Sequence, residues 1–214
     1  CLQPAAAHRA KTIPLPRQFM NTHAEKLCWF GKLPCVGDFC SHNMPAGLLE
    51  TLDLWLSSTI QEGQAVHGDA WTNAYFQMPV HGFVWGSRVT PEFHNNAAIG
   101  VLMPSVDKAG RAFPFVLLQE LPSCSLDKLA FESLALWFQQ AHTLCADALN
   151  EDWCLNKFEL KSESLALCMD ESASKDSIQV GDAQSHWFEI DYGGAIKAVL
   201  QCDGLPASHD FNTL

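Results

Sequence analysis

Between residues 81 and 121 the chain passes through three nearly unbroken apolar segments, and this stretch limits the fold more than any other. His81–Val89 contains Phe83, Val84 and Trp85. Ala97–Met103 is apolar almost throughout. Ala112–Leu121 contains Phe113, Phe115, Val116 and Leu117. Runs of this kind, bounded by polar turns, read as strands covered on both faces. Several of their connections are too short for a parallel crossover. The expected fold is therefore α/β, a single domain built as a three-layer α/β/α sandwich around a mixed central sheet.

The flanking sequence supplies the remaining elements. Residues 27–33 read as a short strand that ends at Pro34 and Gly37. Pro45 stands where the first turn of a helix tolerates a residue without an N–H. Leu48, Leu49, Leu52, Trp55, Leu56 and Ile60 follow at three-and-four spacing, and Gly63 and Gly68 bracket the helix end. Asp69 is positioned to cap a second helix through Trp71, Tyr75 and Met78. Residues 126–149 keep the helical rhythm over about six turns, with Ser125 as the expected N-cap. Trp187–Asp191 and Ala195–Cys202, joined by Tyr192, Gly193 and Gly194, read as a hairpin, and a short helix from Ala207 closes the chain.

Charge is distributed unevenly. The net charge is −11; residues 1–120 contribute −1 and residues 121–214 contribute −10. No basic stripe is present to neutralise phosphates, which argues against nucleic-acid and anionic-membrane partners. No apolar run approaches the roughly 18–20 residues that cross a bilayer. The nine cysteines, at 1, 28, 35, 40, 124, 145, 154, 168 and 202, are odd in number and irregular in spacing. In a chain with its own core they read as free thiols, which suits a cytoplasmic protein. Residues 1–26 read as a disordered or non-native tail ahead of a domain spanning 27–214. Within the tail, residues 1–19 precede the first methionine, Met20, where the functional protein is expected to begin. A lipidated Cys1 is the rival reading, and it requires a removed signal sequence.

Motifs for chemistry are sparse. Gly31-Lys32 is followed by Leu33 and lacks the upstream glycine of a phosphate-binding loop. Ser105 lies between Pro104 and Val106, without the flanking glycines of a nucleophile elbow; Asp107 and His94 are neighbours in sequence only. Cys35, Cys40 and His42, with His67, His81 or His94, lack the paired spacing of a metal site. No cofactor or metal is expected. Two charged pairs remain: Lys32 with Asp38 flanking the first loop, and Asp107 with Arg111 flanking the loop after the central strand. Each pair reads either as a loop brace or as a partner-binding surface on rigidly held loops.

The same stretches carry a resemblance. Trp29-Phe30-Gly31-Lys32-Leu33-Pro34, followed by Gly37-Asp38-Phe39, resembles the N-terminal signature of the TagF (ImpM) family of type VI secretion-associated proteins. Gly100-Val101-Leu102-Met103-Pro104-Ser105-Val106-Asp107, continued by Gly110-Arg111 and Phe113-Pro114, is similar to its central signature. The Pro45 helix with Trp55, and Gly204-Leu205-Pro206, also fit. Cys35 and Cys40 depart from the small or polar residues expected there, and the acidic 151–184 stretch matches poorly. The resemblance implies an α/β/α domain without known catalysis that represses type VI secretion post-translationally. It would do so by binding the forkhead-associated scaffold protein Fha. The partner-binding residues it suggests are Lys32, Asp38, Ser105, Asp107 and Arg111. A structural or adaptor component of the secretion apparatus is the alternative, and a metal-dependent hydrolase is a further one.

Overall fold

A computed structural model describes residues 27–211, except 90, 94–95, 123–125, 127–128, 166, 168–176 and 192–194. The readings of residues 1–26, of Ser125 as a helix cap and of the Tyr192–Gly194 turn lie outside the described residues.

Among the described residues seven strands form one sheet in the order β2-β1-β5-β4-β3-β6-β7. They are β1 (Leu27–Lys32), β2 (Phe39–His42), β3 (Val80–Trp85), β4 (Ala97–Met103), β5 (Phe115–Leu121), β6 (Gln184–Ile190) and β7 (Ile196–Asp203). Every pairing is antiparallel. This overturns the expected mixed sheet and, with it, the three-layer α/β/α sandwich. The chain is a seven-stranded antiparallel sheet with few helices. The physical reason lies in how the apolar strands are covered. A strand buried on both faces is apolar whatever its direction, so the continuous runs did not require parallel pairing.

Among the described residues five α-helices accompany the sheet: α1 (Ala46–His67), α2 (Trp71–Gln77), α3 (Phe131–Asn150), α4 (Leu155–Ser162) and α5 (Ser208–Phe211). Leu48, Leu52 and Leu56 of α1 are fully buried and pack with Phe83, Trp85 and Trp187 of the sheet. Against the opposite face, Leu134, Trp137 and Phe138 of α3 and Phe158 of α4 pack on Trp29, Val101 and Phe115. Aromatic contacts form between helix and sheet and within the sheet itself. Phe158 meets Trp29 and Phe115 edge-on at centroid distances of 5.6 and 5.4 Å. Phe83 stacks on Trp85 at 4.1 Å. Such pairs contribute roughly 0.5–1.5 kcal/mol each beyond their buried area.

Helix boundaries depart from the periodic reading in two instructive places. Pro45 sits at the N-cap with ψ 139°, one residue ahead of the helix, and its carbonyl accepts the Leu49 amide at 2.9 Å. Gly63 stays inside α1, which ends at Gly68. The third helix begins at Phe131, not 126. Leu126 and Leu129 are buried as the spacing predicts. The backbone at Ala130 is extended, however, and bridges Ser177, and the Leu129 carbonyl accepts the Ile178 amide at 3.2 Å. Those backbone bonds to a distant segment compete successfully with a first helical turn.

Within the core, the Trp137 indole N–H donates to the Gln119 carbonyl oxygen at 2.9 Å, both side chains being buried. Trp137→Phe keeps most of the apolar contact and removes this bond between two buried side chains. The expected loss is about 2 kcal/mol, read from the urea midpoint at constant m-value. An unchanged midpoint would show that the bond contributes nothing net.

Candidate functional site

One end of the sheet gathers the two sequence motifs. β1 runs into a loop at 33–38, and β4 runs into the 104–114 segment that returns as β5. Gly31 makes the close approach possible. Its φ is +137°, and a Cβ there would lie 2.1 Å from the Pro114 carbonyl oxygen. With only a hydrogen in that position, β1 comes flush against the start of β5.

Residues 107–111 form a tight turn. The Asp107 amide donates to the Arg111 carbonyl at 3.1 Å, and the Gly110 amide donates to the Asp107 carbonyl at 2.8 Å. Gly110 has φ +78°, the left-handed conformation that such a turn demands. The Asp107 carboxylate folds back over this turn. Its Oδ1 accepts the Ala109 and Arg111 amides at 2.9 and 3.0 Å. Its Oδ2 accepts Arg111 Nε at 2.7 Å and Lys32 Nζ at 3.1 Å. Side-chain exposure is 0% for Asp107 and 8% for Lys32, against 61% for Arg111. Burial pushes the Asp107 carboxyl upward. The Arg111 amide, the Lys32 ammonium, the Arg111 guanidinium and the Ala109 amide more than offset this and hold it well below the usual carboxylate range.

The turn is then tied to the first loop. Arg111 Nη2 donates to the Gly37 carbonyl at 2.8 Å, and the Lys108 amide to the Val36 carbonyl at 2.8 Å. Behind them lies Ser105. Its hydroxyl donates to the Lys32 carbonyl at 2.6 Å, and its amide donates to the Tyr75 hydroxyl oxygen at 2.8 Å. The Tyr75 hydroxyl in turn donates to the Ser105 carbonyl at 2.9 Å. Burial raises the Tyr75 pKa, so the phenol keeps its proton at neutral pH.

The structure thus pairs the charges across the loops. Lys32 reaches Asp107, while Asp38 lies exposed and its Oδ1 accepts the adjacent Phe39 amide at 2.8 Å. Of the five residues singled out in the sequence, Lys32, Ser105 and Asp107 are buried in this brace, and Asp38 and Arg111 reach the surface. Phe39, which the sequence reading passed over, joins them there. Its ring is 44% exposed, lies 5.0 Å from Lys32 Nζ and meets Phe113 edge-on at 4.7 Å. Tyr75 was also missed. It is thirty positions from Ser105, and nothing local in the sequence signals the contact.

The geometry offers little to a reaction. The Ser105 hydroxyl is buried and engaged with a backbone carbonyl, and the Asp107 carboxylate already accepts four bonds. Burial raises the Cys35 thiol pKa and pushes that of Cys40 to about 12, which favours their protonated forms. Burial likewise lowers His81 to about 4. Among the described residues no three His, Cys, Asp or Glu side chains gather as they would around a metal ion. His94 lies outside the described residues. No helix among the described residues is long and apolar enough to cross a membrane.

Comparison with known proteins agrees with the motifs. No curated protein sequence matches the chain. Among solved structures, the chain is similar to PA0076 from Pseudomonas aeruginosa PAO1, known from a crystal structure, with 25% sequence identity and a TM-score of 0.68. The match covers 87% of this chain and 92% of that one. The family model for the TagF N-terminal domain, described as type VI secretion system-associated, matches residues 28–165. That span is more than half of the chain and runs from β1 through α4, taking in both braced loops. The chain belongs to the TagF N-terminal domain family of type VI secretion-associated proteins.

Proposed function

We propose that the chain is a non-enzymatic, cytoplasmic repressor of type VI secretion that acts by binding the forkhead-associated scaffold protein Fha. The observation that carries this reading is the brace. Asp107 ties its own turn to Lys32 at the end of β1, the Arg111 and Lys108 bonds to Gly37 and Val36 join that turn to the first loop, and Asp38, Phe39 and Arg111 are left at the surface. Preorganised loops of this kind lose little entropy on binding a partner. The engaged Ser105 and saturated Asp107 favour recognition over catalysis. A repressor that binds free scaffold lowers the pool available for assembly by mass action.

The test is binding of purified scaffold to the wild-type chain and to Asp38→Lys and Arg111→Glu, without kinase or ATP. The expected result is measurable binding by the wild type and at least a tenfold loss in each variant. Circular dichroism of Asp38→Lys should match the wild type, and because Arg111→Glu also removes the bonds to Asp107 and Gly37, its melting temperature is measured beside its binding. Wild-type chain that fails to bind folded scaffold would reject the reading. A structural component of the apparatus is the competing reading, and host genetics separates the two: deletion releases secretion for a repressor and abolishes it for a component.

A further inference from the structure

Beside the brace, the link from α2 to β3 separates two hollows. The first, about 330 Å³, lies between α1 and α2 and is lined by Ile60, Trp71, Tyr75 and Pro114. The second, about 460 Å³, lies between that link, α3 and the end of β6, and is lined by Phe76, Met103, Leu149 and Ile190. Gln77, Met78 and Pro79 line both. The two hollows thus share a wall three residues long, and the Phe76 ring beside it is half exposed. Pro104 opens onto the second hollow and Pro114 onto the first, so both ends of the 104–114 segment reach this surface.

Both linings are more apolar than polar. Large apolar side chains dominate, and Met78 and Met103 supply flexible, polarisable surface that adapts to a guest. Glu189 and Asp191 line the second hollow, and neither hollow is lined by Lys or Arg. Lys197 stands opposite Glu189 in β7 and offsets part of its charge. Asp191, one residue past the end of β6, completes the acidic rim. His142 also lines this hollow; burial lowers its pKa and favours its neutral form at neutral pH.

We propose that the two hollows form one docking groove for a peptide segment of a partner protein, a segment that presents two apolar side chains and a Lys or Arg. The apolar pair occupies the hollows on either side of Met78 and Pro79, and the cation meets Glu189 and Asp191. This rests on the reading of the chain as a protein-binding regulator and gives it a second contact surface, apart from Asp38, Phe39 and Arg111, together with the chemistry of what binds there.

A random twelve-residue peptide library displayed on phage, selected against the full chain, tests it. The expected winners carry two apolar residues and at least one Lys or Arg. Their affinity should fall at least tenfold for Phe76→Glu. It should fall at least threefold for Glu189→Gln combined with Asp191→Asn, the Asn being able to accept the Ala195 amide as Asp191 Oδ1 does. The second loss should shrink as salt is raised. Leu54→Glu, on the exposed side of α1, should change nothing. The proposal is overturned by any of four results: no enriched peptide, winners without a basic residue, winners indifferent to Phe76→Glu, or self-association of the chain abolished by Phe76→Glu. Peptides selected into the groove alongside a scaffold that does not bind would remove the scaffold reading alone. Scaffold bound equally by wild type and Phe76→Glu, with no enriched peptide, would remove the groove alone.

Discussion

Gly31→Ala is expected to cost about 4 kcal/mol or more, a large share of the roughly 5–15 kcal/mol by which a domain stays folded. Two effects add. The backbone at Gly31 has φ +137°, which an L side chain adopts only under strain, at a cost of roughly 1–3 kcal/mol. The new methyl would also lie 2.1 Å from the Pro114 carbonyl oxygen and 2.8 Å from the Phe115 Cα. Both are backbone atoms and cannot swing aside. Relief requires β1 to part from β5 at the Gly31–Phe115 pair, where the sheet turns into the braced loops. Gly37 gives the control within the same motif. A Cβ there meets nothing within 4 Å, and Gly37 contributes its carbonyl to Arg111. Gly37→Ala should stay within about 0.5 kcal/mol of wild type. Soluble yield and urea midpoints of the three proteins decide the matter. A Gly31→Ala midpoint equal to that of Gly37→Ala would mean that the two strands can separate at no cost.

What could be read in the sequence, and what could not, follows from how far each signal reaches along the chain. β4 was legible residue for residue, because all seven of its residues are buried and the run is unbroken. α1 was legible because Leu48, Leu52 and Leu56 fall on one face. No strand was expected at β2. Phe39-Cys40-Ser41-His42 has no apolar alternation, and what makes it a strand is pairing with β1, where His42 stacks on the Trp29 ring at 5.2 Å. Strand direction was misread for a related reason: apolar density reports burial and says nothing about polarity of pairing. At the site, the four charged residues were visible as pairs flanking loops, and the bracing role was one of the two readings they allowed. Asp107 and Arg111 do pair as the sequence suggested, whereas the partner of Lys32 was hidden. Lys32 and Asp107 are far apart in the chain, and the nearer acid, Asp38, turned outward to its neighbour's amide. Only the register of β1 against β5 against β4 brings the two loops together.

Asp107→Ala is the second large effect, a fall in melting temperature on the order of 10 °C at pH 7. The substitution strips the Lys32 ammonium of its carboxylate while that lysine remains 7% exposed. It also leaves the Ala109 and Arg111 amides without their acceptor. The milder Asp107→Asn isolates the charge. The folded-state pKa of Asp107 is lowered from the ordinary 3.8, so below about pH 4 the unfolded chain takes up a proton that the folded chain refuses. The stabilisation from this carboxylate is therefore fully present above that value. It is lost as pH falls through the folded-state pKa. Thermal scans of wild type and Asp107→Asn from pH 7 down to pH 2 should show a gap that is constant to about pH 4 and then narrows. Other carboxylates titrate in both proteins and cancel in the difference. A gap that holds its size down to pH 2 would mean that the neutral acid serves the turn as well as the anion. Lys32 and Arg111 would then contribute to the brace through packing alone.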